Sequence, residues 1–160
     1  MKLIALSQGK FTKVDDEDYE KINQYKWRFS NKQGVATQVQ ISGSGKLGTQ
    51  KRKTLLLHRF ILNAPRGLEV DHKNGDKLDN RRSNLRVCSH AENMRNRKVS
   101  KATLSGFKGV RSNGSRWQAY IMFNEKFINL GQHDTRKDAA RAYNKAALVY
   151  FGEFARLNEL

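Results

Sequence analysis

Residues 70–96 read VDHKNGDKLDNRRSNLRVCSHAENMRN, and this stretch decides our prediction for the fold. Residues 68–72 have the composition of a short strand, residues 73–83 form a polar loop rich in Asn, Asp and Gly, and residues 84–88 form a second strand. Ser89 is followed three residues later by Glu92, a capping-box pattern that predicts a helix beginning at Ser89. The expected order is therefore strand, loop, strand, helix.

Side chains suited to phosphodiester chemistry are spaced through this unit. Asp71 and His72 stand where the first strand meets the loop, and Asn84 and Asn93 follow them. The Asp71 carboxylate and the Asn93 carbonyl oxygen are hard donors that suit a divalent cation. The His72 imidazole can deprotonate a water, and a cation stabilises the charge that grows on a scissile phosphate. The same residue types are also common in turns, so a purely structural role for these four residues stays open at this point.

The stretch 55–97, which includes LLHRFIL at 56–62, resembles the HNH endonucleases of the homing type, whose active sites are of the ββα-metal kind. The resemblance implies that His72 is the general base and that Asp71 and Asn93 bind Mg²⁺ or Mn²⁺. It also implies that Asn84 braces the loop and orients His72. His58 and Arg59 stand in an apolar run, residues 53–62, that we predict as a strand, and they are candidates for phosphate contact or for a structural role.

Residues 106–158 carry a second pattern. Three short β-runs, 107–111, 116–123 and 126–130, are joined by turns, and Thr135 with Asp138 predicts a capped helix that ends at Gly152. Alternation along the second run places Trp117 on the side that faces the helix. The prediction is a three-stranded antiparallel sheet packed on one helix.

This second region resembles the Apetala-two/ethylene-response-factor DNA-binding domain through Gly109-Val110-Arg111, the Trp117 strand, Leu130-Gly131, the DAARAYNKAA helix and Asn158. The resemblance implies that the outer face of the sheet enters the major groove of DNA. The residues expected on that face are Lys108, Arg111, Arg116, Gln118, Tyr120 and Asn129. Met122, Phe127 and Asn129 depart from the residues usual in the plant domains, so the plant target sequence is not carried over.

Charge and composition restrict the classes of partner that the protein can bind. The 160 residues include 31 Lys and Arg against 15 Asp and Glu, a net charge of +16 that indicates a polyanionic partner. The excess is largest in residues 51–104, with 14 basic and 5 acidic groups. No apolar run reaches the length of a membrane span, and the single cysteine, Cys88, excludes an internal disulfide. We expect a cytoplasmic protein with access to double-stranded DNA, acting as a monomer.

The whole chain is predicted to be α+β, with a β-rich N-terminal region that completes the nuclease. The predicted domains are an HNH nuclease domain at 1–98, with its core at 55–97, a linker at 99–105, and a DNA-binding domain at 106–158. The predicted function is a metal-dependent endonuclease of a phage or other mobile element, which cuts or nicks DNA at a site chosen by the C-terminal domain. Two alternatives stay open: a transcriptional regulator with a degenerate HNH module, and an RNA-binding accessory protein.

Overall fold

A computed structural model describes residues 1–42, 51–99 and 103–160. The chain divides into two compact units, Met1–His90 and Ala91–Leu160. The mixture of helices and antiparallel strand pairs is compatible with the α+β class. The functional domain limits remain predictions, and residues 100–102 of the predicted linker lie outside the described residues. No helix within the described ranges has both the length and the apolar composition to cross a membrane.

The first unit contains three antiparallel strand groups and short helices. Its pairs are β1–β2 and β6–β7, and its three-stranded sheet has the order β3–β4–β5. The elements are β1 Lys2–Ala5, β2 Phe11–Val14, α1 Asp16–Asn23, β3 Arg28–Ser30, β4 Val35–Ser42, β5 Lys51–Leu56, α2 Leu57–Leu62, β6 Glu69–His72 and β7 Leu85–Cys88, with α3 His90–Arg95 spanning the division. One apolar core joins them, and it includes Val14, Ile22, Trp27, Leu57 and Leu85.

Helix α1 begins within an acidic run, residues 15–18, and carboxylates of this run bind a distant arginine. Asp15 is at the N-cap position, but it makes no side-chain capping bond. Its Oδ2 instead accepts from the backbone N–H of Arg82 at 2.7 Å. The Arg82 guanidinium also donates to both carboxylate oxygens of Asp18, at 2.7 Å each. These contacts fasten α1 to the end of the polar loop between β6 and β7.

The segment that contains His58 and Arg59 differs from the prediction. We predicted one strand over residues 53–62, but the strand ends at Leu56 and helix α2 covers Leu57–Leu62. A short apolar run has no periodicity that separates a buried strand from a buried helix, so the sequence could not make this distinction. Asn63, in the left-handed region with φ 46°, then ends the helix.

The second unit is a three-stranded sheet with a helix on one face. Its strands have the order β10–β9–β8, and the helix contributes Ala139, Ala140, Tyr143 and Ala147 to the core beneath the sheet. The elements are β8 Val110–Asn113, β9 Arg116–Phe123, β10 Lys126–His133 and α4 Arg136–Phe151. Thr135 caps α4 by accepting from the N–H of Asp138 at 3.1 Å, and Gly152 is its C-cap, as predicted.

The first strand of this sheet begins later than predicted. Lys108 precedes β8, which starts at Val110. Gly109 has φ 70°, and a Cβ at that position would lie 2.0 Å from the Tyr143 ring and 2.5 Å from the Tyr120 carbonyl oxygen. Only glycine tolerates this conformation and this approach, so the chain turns there and the extended run cannot begin at residue 107.

Candidate active site

The β6–β7 pair places two candidate residues at the end of a strand. Asp71 is opposite Arg86, and His72 is opposite Leu85. Asp71 and His72 each have only 6% of their surface exposed. A charged carboxylate so deeply buried requires a partner, and a buried imidazole is held in one orientation by its surroundings. Asp71 and His72 are therefore neighbours in the sequence, and their burial in the folded unit restricts the orientation of both side chains.

His72 is held by contacts from the polar loop and from helix α2. Its Nε2 lies 3.1 Å from Oδ1 of Asn80, and its ring meets that of His58 edge to face, with centroids 5.2 Å apart. Burial lowers the pKa of His72, although the Asn80 hydrogen bond and the Asp71 charge oppose this shift. The imidazole is consequently neutral near pH 7, which is the form that accepts a proton.

Asn84 joins the two ends of the polar loop. Its Nδ2 donates to the Asp79 carbonyl at 2.7 Å, and its Oδ1 accepts from the backbone N–H of Asn74 at 3.0 Å. Its own carbonyl accepts from the N–H of Lys73 at 2.9 Å. The Asn84 side chain thus bonds to the loop, while Asn80 makes the contact with His72 described above.

Asp71 forms a buried ion pair. Arg86 donates to Oδ2 of Asp71 from Nε at 2.9 Å and from Nη2 at 2.6 Å, and both side chains are less than one tenth exposed. Two donors on one oxygen determine how the carboxylate is turned. A cation that used the same oxygen would have to compete with Arg86.

The predicted metal ligands agree in chemistry with a hard divalent cation. A carboxylate from Asp71 and an amide oxygen from Asn93 are the donor types that Mg²⁺ and Mn²⁺ prefer. Asn93 is half-buried on α3 in the second unit, whereas Asp71 lies in the first. Within the part of the chain that the structure describes, no three His, Cys, Asp or Glu side chains group into a metal site. A site made of one carboxylate and one amide oxygen would not form such a group, because it contains only one Asp and no second side chain of these four types.

His58 and Arg59 have separate structural environments on α2. Arg59 donates to the carbonyl oxygens of Ala64 at 3.2 Å and Pro65 at 2.8 Å, and it also donates to that of Leu68. It thereby ties the chain leading into β6. His58 is 7% exposed, and burial lowers its pKa to about 3. Its Nδ1 has no hydrogen-bond partner among the described residues. Phosphate contact by these residues remains a prediction.

Sequence reasoning missed Asn80, which contacts His72, and two buried polar residues next to Asn80, namely Thr12 and Asp79. Thr12, Asp79 and Asn80 are each at most 1% exposed. Asp79 accepts from Arg81 at 2.7 and 2.6 Å, and Asn80 donates to Thr12 at 2.7 Å. The abundance of Asn and Asp in the loop indicated only turn structure. Contacts spanning 68 positions, such as that between Asn80 and Thr12, leave no spacing signal in the sequence.

The outer face of the second unit's sheet carries a connected polar set. Arg111 donates to Gln118 at 2.8 Å, and Gln118 donates to Asn129 at 3.0 Å. The Arg111 guanidinium also lies over the rings of Tyr120 and Phe127, at 5.5 and 5.1 Å from their centroids. Four residues predicted to contact DNA, Arg111, Gln118, Tyr120 and Asn129, are therefore brought together on one face.

The other two predicted DNA contacts are engaged elsewhere in the second unit. Arg116 pairs with Asp134 at 2.9 Å, and both side chains are largely exposed. The Lys108 ammonium donates to the carbonyl oxygens of Arg95 and Arg97, and burial lowers its pKa to about 8. Lys108 is therefore attached to the end of α3, and its contact with phosphate stays a prediction.

Comparison with known proteins agrees with the first unit's chemistry. The family profile described as HNH endonuclease matches residues 63–95, which include Asp71, His72 and Asn84. An uncharacterized HNH endonuclease of Acanthamoeba polyphaga mimivirus is 30% identical over 165 residues, covering 99% of this chain and 80% of that protein. Protein 3.8 of Escherichia phage T7 is 31% identical over 94 residues, covering 58% of this chain and 77% of that protein. The chain belongs to the HNH endonuclease family and is a nuclease.

Proposed function

We propose that this chain is a metal-dependent DNA endonuclease of the homing type, which hydrolyses or nicks phosphodiester bonds at a site chosen by its C-terminal sheet. One observation carries the catalytic part of the proposal. His72 is buried, lies next to Asp71 at the end of β6, and has a lowered pKa, within the segment that the family profile matches. A neutral imidazole in this position is suited to act as a general base.

In the proposed reaction His72 takes a proton from the attacking water. Asp71 and Asn93 are the side chains that would hold Mg²⁺ or Mn²⁺, and HNH nucleases generally use divalent metal ions. When bound, the cation supplies positive charge to the phosphate as negative charge grows on it. Asn84 keeps the loop between β6 and β7 closed, and Arg86 sets the orientation of the Asp71 carboxylate.

The family implies that the substrate is DNA, and the second unit offers a surface for reaching it. Residues 103–160 contain 9 basic and 5 acidic groups, and the outer sheet face presents Arg111 and Asn129 to solvent. Arginine can pair with a guanine edge and asparagine with adenine. The order of three strands and one helix is that expected from the resemblance to the Apetala-two/ethylene-response-factor domain. These features support a DNA-addressing role for this unit.

We also propose that the enzyme acts as a monomer, in the cytoplasm where it has access to DNA, and that it originates from a mobile element. Relatives in a phage and in a giant virus support that origin. A regulator with an inactive HNH module and an RNA-binding accessory protein would both lack cleavage, so a cleavage assay separates these two alternatives from the proposed function.

The test is to incubate the full-length protein with supercoiled plasmid and Mg²⁺, separate nicked from linear product, and map the new ends by sequencing. We expect ends at a recurring sequence. Parallel reactions with EDTA and with His72→Ala control for a contaminating nuclease. Cleavage at unrelated sequences would contradict the addressing role, and no cleavage under any divalent cation would contradict the proposed activity.

A further inference from the structure

The N-terminal hairpin, which consists of the antiparallel strands β1 and β2, contacts the polar loop through Thr12. Thr12 lies on β2 and is fully buried. Its hydroxyl donates to the Leu78 carbonyl at 2.8 Å and lies 2.7 Å from Nδ2 of Asn80. The main chain of β2 makes two more bonds to the same segment, from the N–H of Lys13 to Leu78 at 2.8 Å and from the N–H of Asn80 to Lys13 at 2.9 Å. Strand β2 therefore fixes both the backbone and the side chain of Asn80.

These contacts determine the direction of each hydrogen bond. Two oxygens 2.8 Å apart attract only if a hydrogen lies between them, so the Thr12 hydroxyl must donate to the Leu78 carbonyl. The Thr12 oxygen is then an acceptor, and Asn80 must present its amide nitrogen to it. The carbonyl oxygen of Asn80 consequently faces Nε2 of His72, at 3.1 Å.

A carbonyl oxygen can only accept a hydrogen bond, so Nε2 of His72 must carry the hydrogen. A neutral imidazole has one N–H and one lone pair, and the bond made at one nitrogen decides the state of the other. The lone pair of His72 is therefore on Nδ1. Because Asn80 is 1% exposed and Thr12 is fully buried, water does not compete freely for these bonds.

We propose that Thr12 and Asn80 are positioning residues that hold His72 as the Nε2–H tautomer, so that Nδ1 is the atom that takes the proton from water. This inference rests on the proposed role of His72 as general base. It gives the N-terminal hairpin a part in the reaction through a chain of three side chains, Thr12, Asn80 and His72. A base in the wrong tautomer keeps its position but cannot accept the proton, which lowers the rate without affecting binding.

The proposal can be tested in two ways on the full-length protein. The first is a ¹⁵N–¹H correlation spectrum of the imidazoles in the metal-free wild type at pH 7.5, with His72 assigned by comparison with His72→Gln. The chain has only 4 histidines, so the signals are few. We expect the Nε2–H pattern for His72. An Nδ1–H pattern in the wild type overturns the proposal, whatever the behaviour of any variant.

The second test compares plasmid nicking in Mg²⁺ by Thr12→Val, Asn80→Ala and Thr12→Ser. We expect kcat to fall roughly 10-fold or more for the first two with unchanged DNA affinity, since tautomer control acts on the chemical step. Thr12→Ser keeps the hydroxyl and should remain within about 3-fold of the wild type. Thr37→Val is the matched control, because the Thr37 hydroxyl also donates to a main-chain carbonyl, that of Arg28, outside the loop.

The outcomes separate this inference from the proposed function. If His72→Ala nicks as fast as the wild type, the general base is wrongly assigned and the proposed function fails in that respect. If His72→Ala is inactive but Thr12→Val and Asn80→Ala keep the wild-type kcat, the positioning role alone is wrong. Equal losses in Thr12→Val and Thr37→Val would also overturn it, because both would then reflect general loss of packing.

Discussion

The polar loop of the first unit, with the residues that flank it, and the outer sheet face of the second unit both carry functional candidates, but they differ in burial. Asp71, His72, Asp79, Asn80 and Asn84 are all less than 9% exposed. Arg111 and Asn129 are exposed, and Met122 and Phe127 retain 50% and 46% of their surface. Buried polar groups must satisfy one another and therefore adopt a single geometry. Exposed groups stay hydrated until a partner displaces the water. The buried polar groups of the first unit are suited to catalysis, and the exposed groups of the second unit's sheet are suited to recognition of a partner.

The largest expected effect is loss of the metal. We expect EDTA to abolish cleavage completely, and Asp71→Ala or Asn93→Ala to raise the Mg²⁺ concentration needed for half-maximal nicking, since each removes one of few protein ligands. The measurement is the nicking rate as a function of Mg²⁺ concentration. Glu159→Gln, at an exposed position outside both proposed sites, is the control for a general loss of negative charge. Full activity in EDTA would contradict the mechanism.

The next effect concerns the base. His72→Ala should lower the cleavage rate by roughly 10²-fold or more, as expected when a general base is removed. DNA affinity should change little, because the buried His72 ring lies at the end of β6 and not on the exposed sheet face. Single-turnover cleavage and a binding titration on the same DNA measure the two quantities. A similar loss in both would indicate that the division between a catalytic and a recognition region is wrong.

The third effect is on the pH dependence of stability, and it tests whether the burial of His58 makes the first unit sensitive to acid. His58 has a folded pKa of about 3, lowered by burial and by the charges of His72, Arg59 and Lys77, against an ordinary value of 6.5. Between these values the unfolded chain binds a proton that the folded chain does not. The contribution of neutral His58 to the free energy of unfolding is therefore fully present above pH 6.5 and is lost as the pH falls toward 3. The cost at pH 4 is about 3 kcal/mol relative to pH 7.

His58→Phe removes this titration while keeping an aromatic ring against His72. Its free energy of unfolding should fall about 3 kcal/mol less than that of the wild type between pH 7 and pH 4. Urea unfolding at several pH values measures this difference. Thr37→Val, which removes no titratable group, is the control and should show the same pH dependence as the wild type. Parallel curves for His58→Phe and the wild type would show that His58 does not cause the acid sensitivity.

The smallest effect concerns base reading in the second unit. Arg111→Ala should reduce discrimination at one base pair by roughly 1 to 3 kcal/mol, because a bidentate pair with guanine is lost. Binding to the mapped site and to its single-base variants measures this. Arg141→Ala removes the same charge from α4, the helix on the other side of the sheet, and should weaken binding without changing base preference. Equal losses on all sequences for Arg111→Ala would reduce its role to phosphate contact.

Local patterns in the sequence predicted most of the secondary structure near both regions. The strand that contains Asp71 and His72, the second strand through Cys88 and the helix that follows were all recognised from composition and a capping pattern. The same holds for α4, whose cap and end depend on residues within one turn of each terminus. Helix α2 was mistaken for a strand, because its apolar run carries no period, and the start of β8 was misplaced because the constraint on Gly109 comes from Tyr143.

The sequence by itself determined which chemical groups this protein can use: a carboxylate beside an imidazole, spaced amides, and a large excess of positive charge. Only the tertiary structure decided how those groups are partnered. Arg86 bonds Asp71 across a strand pair, Arg82 bonds Asp18 across 64 positions, and Thr12 reaches His72 through Asn80. Such pairings depend on which side chains are buried together, and burial is a property of the packed chain that no local spacing encodes.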